Sequence, residues 1–227
     1  MTQQDLTLEA LRSPQPLGER AANRSRSPKS STFAEFMGNN WVQPAASGDT
    51  GSVSTVAEFL PARHAAVERH YPDTVLVIPA GSYKTRSADE DYLFRPHSAF
   101  VWATGLGKEY EPDSAVVFYP QAEGHKAVLY FQPPASRSTD QFYADSRYGE
   151  FWVGARPTIA QMEAWSGLTV RPLTSLEADL RGIEDGTSVR VVRGEAATID
   201  ELIAQVVGAE RWASTADEDK TLSLIHI

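Results

Sequence analysis

The side chains most able to do chemistry are concentrated between Arg86 and Gly105. These twenty residues contain two arginines, three carboxylates and four aromatic rings. In an extended chain Asp89 and Asp91 point to the same side, and Arg86 and Arg95 are their natural partners, because paired carboxylates must be balanced by positive charge or donors to stay ionised. Two interpretations remain open: a charged network that shapes a cleft, and an ion-pair cluster that pins a loop to a sheet.

The sequence offers no metal site or nucleophile of a familiar pattern. The chain has five histidines and no cysteine, so it lacks a thiol nucleophile and zinc–cysteine ligands. No two histidines have the His-x-x-x-His spacing that places two ligands on one helix face. Ser98 and Ser166 lie outside any Gly-x-Ser-x-Gly turn. We therefore predict no catalytic residue and no bound metal in this chain.

Composition and charge narrow the class of protein. The 227 residues include 41% apolar residues, which suits one globular domain with tails, and the net charge is −9. All of that charge falls in residues 73–227, which argues against nucleic acid and anionic membranes as partners. The amino terminus lacks the basic and apolar regions of a signal peptide. The expected location is cytoplasmic.

The pattern of elements predicts an α/β fold. Residues 1–31 have the composition of a disordered tail, and residues 32–55 that of a short helix and linker. From residue 56 onward, β-favouring runs alternate with helical patterns. Strands are predicted at residues 74–78, 115–119, 127–131, 168–173 and 188–192, and helices at 56–71, 158–166, 175–181 and from 198. Alternation of this kind is typical of a sheet covered on both faces by helices.

Three local signals add detail to this pattern. Glu123-Gly124 between two strands predicts a hairpin. Thr158 is expected to cap one helix, and Thr198 with Glu201 has the spacing of a capping box for the last helix.

The charged segment resembles the signature of the amino-terminal domain of aminopeptidase P. The matching positions are Arg86, Asp89, Asp91, Tyr92, Phe94, Arg95, Ser98, Phe100, Trp102, Thr104 and Gly105. A second block, Trp152-x-Gly154-x-Arg156, is similar to the family's Trp-x-Gly-x-Arg segment. Leu93 stands where the family usually has proline, Trp102 replaces a common tyrosine, and residues 107–110 resemble a small insertion. The resemblance covers residues 56–221.

The resemblance implies a three-layer α/β/α, ribonuclease H-like domain with a mixed sheet, spanning residues 56–216. In such enzymes this domain supports homo-oligomers and narrows access to an active site that cleaves peptides with proline at the second position. By the same resemblance, Trp152 is expected to wall the substrate's first residues or else to be a buried core residue. The residues Arg86, Asp89, Asp91, Tyr92, Arg95 and Arg156 are expected to shape the domain or substrate access.

The resemblance places catalysis in another domain. It implies two divalent ions, commonly manganese, held by two Asp, one His and two Glu of a carboxy-terminal pita-bread domain, and none bound by this chain. Residues 217–227 are interpreted as the start of the linker to it, with Leu222–Ile227 a possible sequencing artefact. The chain alone is expected to be inactive. Two alternatives stay open: a non-catalytic peptide- or protein-binding module, and creatine or proline-dipeptide chemistry on the same scaffold.

Overall fold

A computed structural model describes residues 56–88, 90–107, 112–184 and 186–208. The regions expected at 1–31, 32–55 and 217–227 therefore lie outside the described residues. In chain order the elements are α1 (Leu60–His70), β1 (Thr74–Pro79), β2 (Thr85–Ser87), β3 (Glu90–Asp91), α2 (Ser98–Thr104), β4 (Ala115–Pro120), β5 (His125–Phe131), α3 (Asp140–Ala144), α4 (Glu150–Val153), α5 (Ile159–Ser166), β6 (Thr169–Pro172), α6 (Leu176–Arg181), β7 (Ser188–Val191) and α7 (Ala197–Val207).

A five-stranded mixed sheet forms the centre of the domain, in the order β6-β5-β4-β1-β7. Strand β4 runs antiparallel to β1 and β5, whereas β7 is parallel to β1 and β6 is parallel to β5. Strands β4 and β5 form the hairpin predicted from Glu123-Gly124. Gly124 adopts φ 75° in its turn, and the N–H of Gln121 donates to the Gly124 carbonyl at 2.9 Å.

Alternating side chains of the sheet build two separate cores. Leu76 and Ile78 of β1 face a core that also holds Val67 of α1, Phe100 of α2 and Met162 of α5. The neighbouring positions of β1 point to the opposite face, where a second core is closed by α6 and α7. The structure thus confirms the predicted three-layer α/β/α architecture with a mixed sheet.

The helix starts show one correct and one wrong prediction. At α5, Thr158 accepts the N–H of Gln161 at 3.2 Å and the Gln161 side chain bonds back to the Thr158 N–H, which completes a capping box. At α7 the predicted box is wrong, because the helix begins at Ala197 and Thr198 lies inside it. A carboxylate oxygen of Asp200 instead accepts the N–H of Gly194 at 2.8 Å, which ties down the approach to this helix.

Candidate functional site: an exposed hairpin and an anchored aromatic segment

The first signature block forms a small hairpin beside the main sheet. Strands β2 and β3 pair antiparallel, with Thr85 opposite Asp91 and Ser87 opposite Glu90. The register shifts between Thr85 and Ser87. Asp89 lies outside the described residues. The block therefore begins as a short hairpin that follows β1 outside the main sheet, and it continues into helix α2.

The charged and aromatic side chains of this hairpin face solvent. Arg86, Asp91 and Arg95 are exposed, Tyr92 is 58% exposed and Leu93 is 86% exposed. Within the described part of the chain, Asp91 pairs with neither Arg86 nor Arg95. The predicted ion pair is therefore wrong for Asp91. In an exposed hairpin, hydration of each charged group competes with ion pairing, so such a pair would add little stability.

Apolar residues between the charged ones hold the hairpin to the domain. Phe94 is 7% exposed, joins the first core and meets the ring of Tyr83 edge-on at 5.7 Å. His97 then precedes α2, and its ring accepts the Ala99 N–H at 3.3 Å. The backbone N–H of His97 donates to the Ala80 carbonyl at 2.8 Å. The hairpin is thus fixed at its base while its polar groups remain accessible.

The second signature block presents aromatic side chains on short helix α4. Trp152 is 60% exposed, and its indole N–H donates to the carbonyl of Tyr143 at 2.6 Å. The interpretation of Trp152 as a buried core residue is therefore wrong. The ring of Phe151, itself 53% exposed, lies 5.8 Å from Trp152 and 6.1 Å from Tyr143. We call Phe151 and Trp152, which pack beside the buried Tyr143, the aromatic surface.

Arg156 is buried beneath this surface instead of extending into solvent. It is 9% exposed, and its guanidinium donates to the carbonyls of Tyr148 at 3.1 Å and Gln132 at 2.5 Å. The same group lies 5.3 Å from the centre of the Tyr148 ring. A planar guanidinium can satisfy several acceptors and stack on a ring at once. These contacts favour the domain-shaping role among those expected for Arg156.

Two residues outside the sequence-predicted site, Asp113 and Arg147, join the loop after β1 to the segment that carries Trp152. Asp113, in the turn before β4, is 3% exposed and accepts hydrogen bonds from the hydroxyls of Ser82 and Tyr148. Burial raises the pKa of the Tyr148 hydroxyl, with a further contribution from the adjacent Asp113 charge, so the hydroxyl stays a donor. In addition, the guanidinium of Arg147 lies 5.8 Å from the Tyr83 ring centre. The loop after β1 therefore contacts the segment that carries Trp152.

The described residues do not form a metal site. No three of their histidine, aspartate and glutamate side chains lie close enough to hold an ion together. The two-metal chemistry implied by the resemblance thus finds no matching donor set in this part of the chain. Among these same residues there is also no helix long and apolar enough to cross a membrane.

Comparison with known proteins identifies the family. Xaa-Pro aminopeptidase 1 of Streptomyces coelicolor is 36% identical over 182 residues, covering 80% of this chain and 35% of the relative. Xaa-Pro aminopeptidase 2 of the same organism is 33% identical over 170 residues, covering 74% of this chain and 35% of the relative. This chain thus spans about a third of the length of both. The low-pH form of aminopeptidase P from Escherichia coli shares the fold, with a TM-score of 0.54 at 23% identity over 70% of this chain and 34% of that one. The family model for the aminopeptidase P N-terminal domain matches residues 60–192, and the chain therefore belongs to that family.

Proposed function

We propose that this chain is the amino-terminal part of an Xaa-Pro aminopeptidase and shapes substrate access without breaking the peptide bond itself. The observation that carries this proposal is the aromatic surface: a solvent-facing tryptophan held by a hydrogen bond, in a domain of this family. Apolar rings exposed in a fixed position suit contact with the apolar side chains and proline rings of peptides. Trp152 is the proposed wall for the substrate's first residues.

The exposed hairpin has a separate role in this proposal. Arg86, Asp91, Tyr92 and Arg95 present charge and hydrogen-bonding groups at the surface, which suits contacts with the rest of the enzyme or with another subunit of a homo-oligomer. Asp89 is assigned to the same group from its position in the signature. The proposed location of the whole enzyme is the cytoplasm.

The bond-breaking chemistry belongs to a second domain in this proposal. Two divalent ions, with manganese as the proposed metal, would be held there by two Asp, one His and two Glu. Such a pair of ions activates a water molecule for attack on the scissile carbonyl. The share of the curated relatives that this chain matches, 35%, leaves room in those proteins for that domain.

A peptide-binding module without metal is the second candidate. The exposed aromatic surface favours it as much as it favours the enzyme, since both functions need contact with peptides. The two candidates differ in the residues encoded beyond codon 227. A frame with the five metal ligands indicates the peptidase, and a frame without them indicates the binding module.

The test is to sequence the genomic reading frame and to assay its full product on a peptide with proline at the second position, with added manganese. We expect release of the first residue, and we expect Trp152→Ala to lower kcat/KM about tenfold through a higher KM. The matched control is Phe59→Ala, because Phe59 is 54% exposed but lies beside α1. Equal effects of both substitutions, or activity of the 227-residue chain alone, would contradict the proposal.

A further inference from the structure

A buried carboxylate, that of Asp113, joins the loop after β1 to the segment that carries Trp152. Asp113 adopts φ 57°, a left-handed conformation that is uncommon for a residue other than glycine. Its N–H donates to the Gly81 carbonyl at 2.8 Å, while its two carboxylate oxygens accept the hydroxyls of Ser82 and Tyr148. A buried carboxylate costs several kcal/mol unless it receives such bonds. Both oxygens receive a donor, so the carboxylate can hold its partners without becoming an unpaired buried charge.

The contacts of Asp113 connect it to the exposed Trp152 through Tyr148 and Gly149. Tyr148, which is 1% exposed, immediately precedes Gly149, and the Gly149 carbonyl accepts the Trp152 N–H at 2.8 Å. Fixing the Tyr148 ring therefore fixes the first residue of the turn that presents Trp152. The indole bond to Tyr143 then sets the direction of the side chain.

The other end of the same segment is held by Arg156. Its guanidinium bonds the Tyr148 carbonyl and lies against the Tyr148 ring, so both ends of residues 148–156 meet at one buried tyrosine. Between these ends Phe151, Trp152 and Val153 are all more than 40% exposed. Residues 148–156, which include α4, thus form a solvent-facing segment that is held at both ends by buried contacts.

We propose that Asp113 is a positioning residue for the aromatic surface, acting through the hydroxyl of Tyr148. Exposed aromatic side chains without such support lose conformational freedom only when they bind, and that loss weakens binding. Rings already held in place avoid this loss. The use of this surface for peptides rests on the proposed function, whereas the positioning of Trp152 by Asp113 does not.

The test follows Trp152 directly in the 227-residue chain. The five tryptophans are replaced by 5-fluorotryptophan, and the ¹⁹F resonance of Trp152 is assigned with Trp152→Phe. Tyr148→Phe removes only the hydroxyl that reaches Asp113. We expect the Trp152 resonance to move by more than its linewidth, while those of Trp102 and Trp165, which pack against the first core, stay in place.

Tyr119→Phe is the matched control, because the Tyr119 hydroxyl bonds to Tyr130 at 2.9 Å and not to Asp113. It should leave the Trp152 resonance unchanged. Asp113→Ala should act like Tyr148→Phe. Asp113→Asn should leave the Trp152 resonance closer to its wild-type position, since an amide oxygen still accepts the hydroxyl. A Trp152 resonance unmoved in Tyr148→Phe would overturn the proposal, whether or not Asp113→Ala folds. Because no catalysis is measured, this outcome is independent of the peptidase assay.

Discussion

Gly149 shows how closely the backbone is packed beneath the aromatic surface. A Cβ atom at this position would lie 2.5 Å from the carbonyl oxygens of both Asp145 and Gln141, and 2.6 Å from that of Phe142. Atoms of the backbone cannot move aside as a flexible side chain can. Helices α3 and α4 therefore meet at a separation that only glycine allows, and this contact places Phe151 and Trp152 beside Tyr143.

Gly149→Ala should lower the free energy of unfolding by about 1–3 kcal/mol, because the added methyl group must push α3 and α4 apart. Urea unfolding measures this change. Gly182→Ala is the matched control, because Gly182 has φ −79° and its added Cβ would lie 3.4 Å from the nearest atom, the Asp179 carbonyl oxygen. That variant should be unchanged or up to about 1 kcal/mol more stable. Equal losses in the two variants would show that the close approach at Gly149 is unimportant.

Residue types and spacing identified the Trp152 segment but not its support. The Trp-x-Gly-x-Arg order is visible over five neighbouring residues. Asp113, in contrast, contacts Ser82 and Tyr148, which are 31 and 35 positions away. Only the folded sheet brings these three groups together. The wrong ion pair at Asp91 has a related cause, since the sequence does not reveal that the hairpin stays exposed to water.

At the scale of elements, α5 and α7 show why similar local signals give different outcomes. Both helices have a threonine followed three residues later by Gln or Glu. At α5 the chain before the helix is extended at Thr158, so the side chain reaches the free N–H groups. At α7 the extended residue is Ala196, two positions before Thr198, so Thr198 already lies within the helix. The position where the chain turns into the helix, which tertiary packing sets, decides the cap.

Thr158→Ala should lower the free energy of unfolding by about 1 kcal/mol, because it leaves the Gln161 N–H without its acceptor. Thr198→Ala tests the contrast at the matching position of α7. Alanine has the higher helix propensity, so stability should be unchanged or slightly greater. Both values come from urea denaturation of the same preparation. A loss at Thr198 as large as that at Thr158 would argue for a cap on α7 that the structure does not have.

Sequence patterns predicted element types more reliably than their ends. Prolines flank the buried runs of β1, β4 and β5, and each run forms a central strand. The predicted strand at 168–173 is shorter in the structure, at Thr169–Pro172, because a 3-10 turn begins at Leu173. Likewise, β7 ends at Val191 instead of residue 192. The ends depend on pairing with a neighbouring strand, which a single sequence does not show.

At the scale of the whole molecule, one sheet separates two cores that share its strands. In β1, Leu76 and Ile78 belong to the first core while Val75 and Val77 belong to the second. Neither helical layer can keep its apolar face buried if the sheet between them is lost. The two layers are therefore expected to unfold together, even though α1 and α7 lie on opposite faces.

Leu202→Ala tests this coupling from one side. Leu202 of α7 is 2% exposed in the second core, and its truncation should lower the free energy of unfolding by about 2–5 kcal/mol. If the domain unfolds as one unit, the slowest-exchanging amides of α1, across the sheet, should be destabilised by the same free energy. Their exchange rate should then rise about tenfold for each 1.4 kcal/mol. Hydrogen exchange with mass spectrometry measures both helices at once, and Gln205→Ala on the exposed side of α7 should change neither. Faster exchange confined to α7 would mean that the two layers are independent units, and that the sheet survives the loss of one of them.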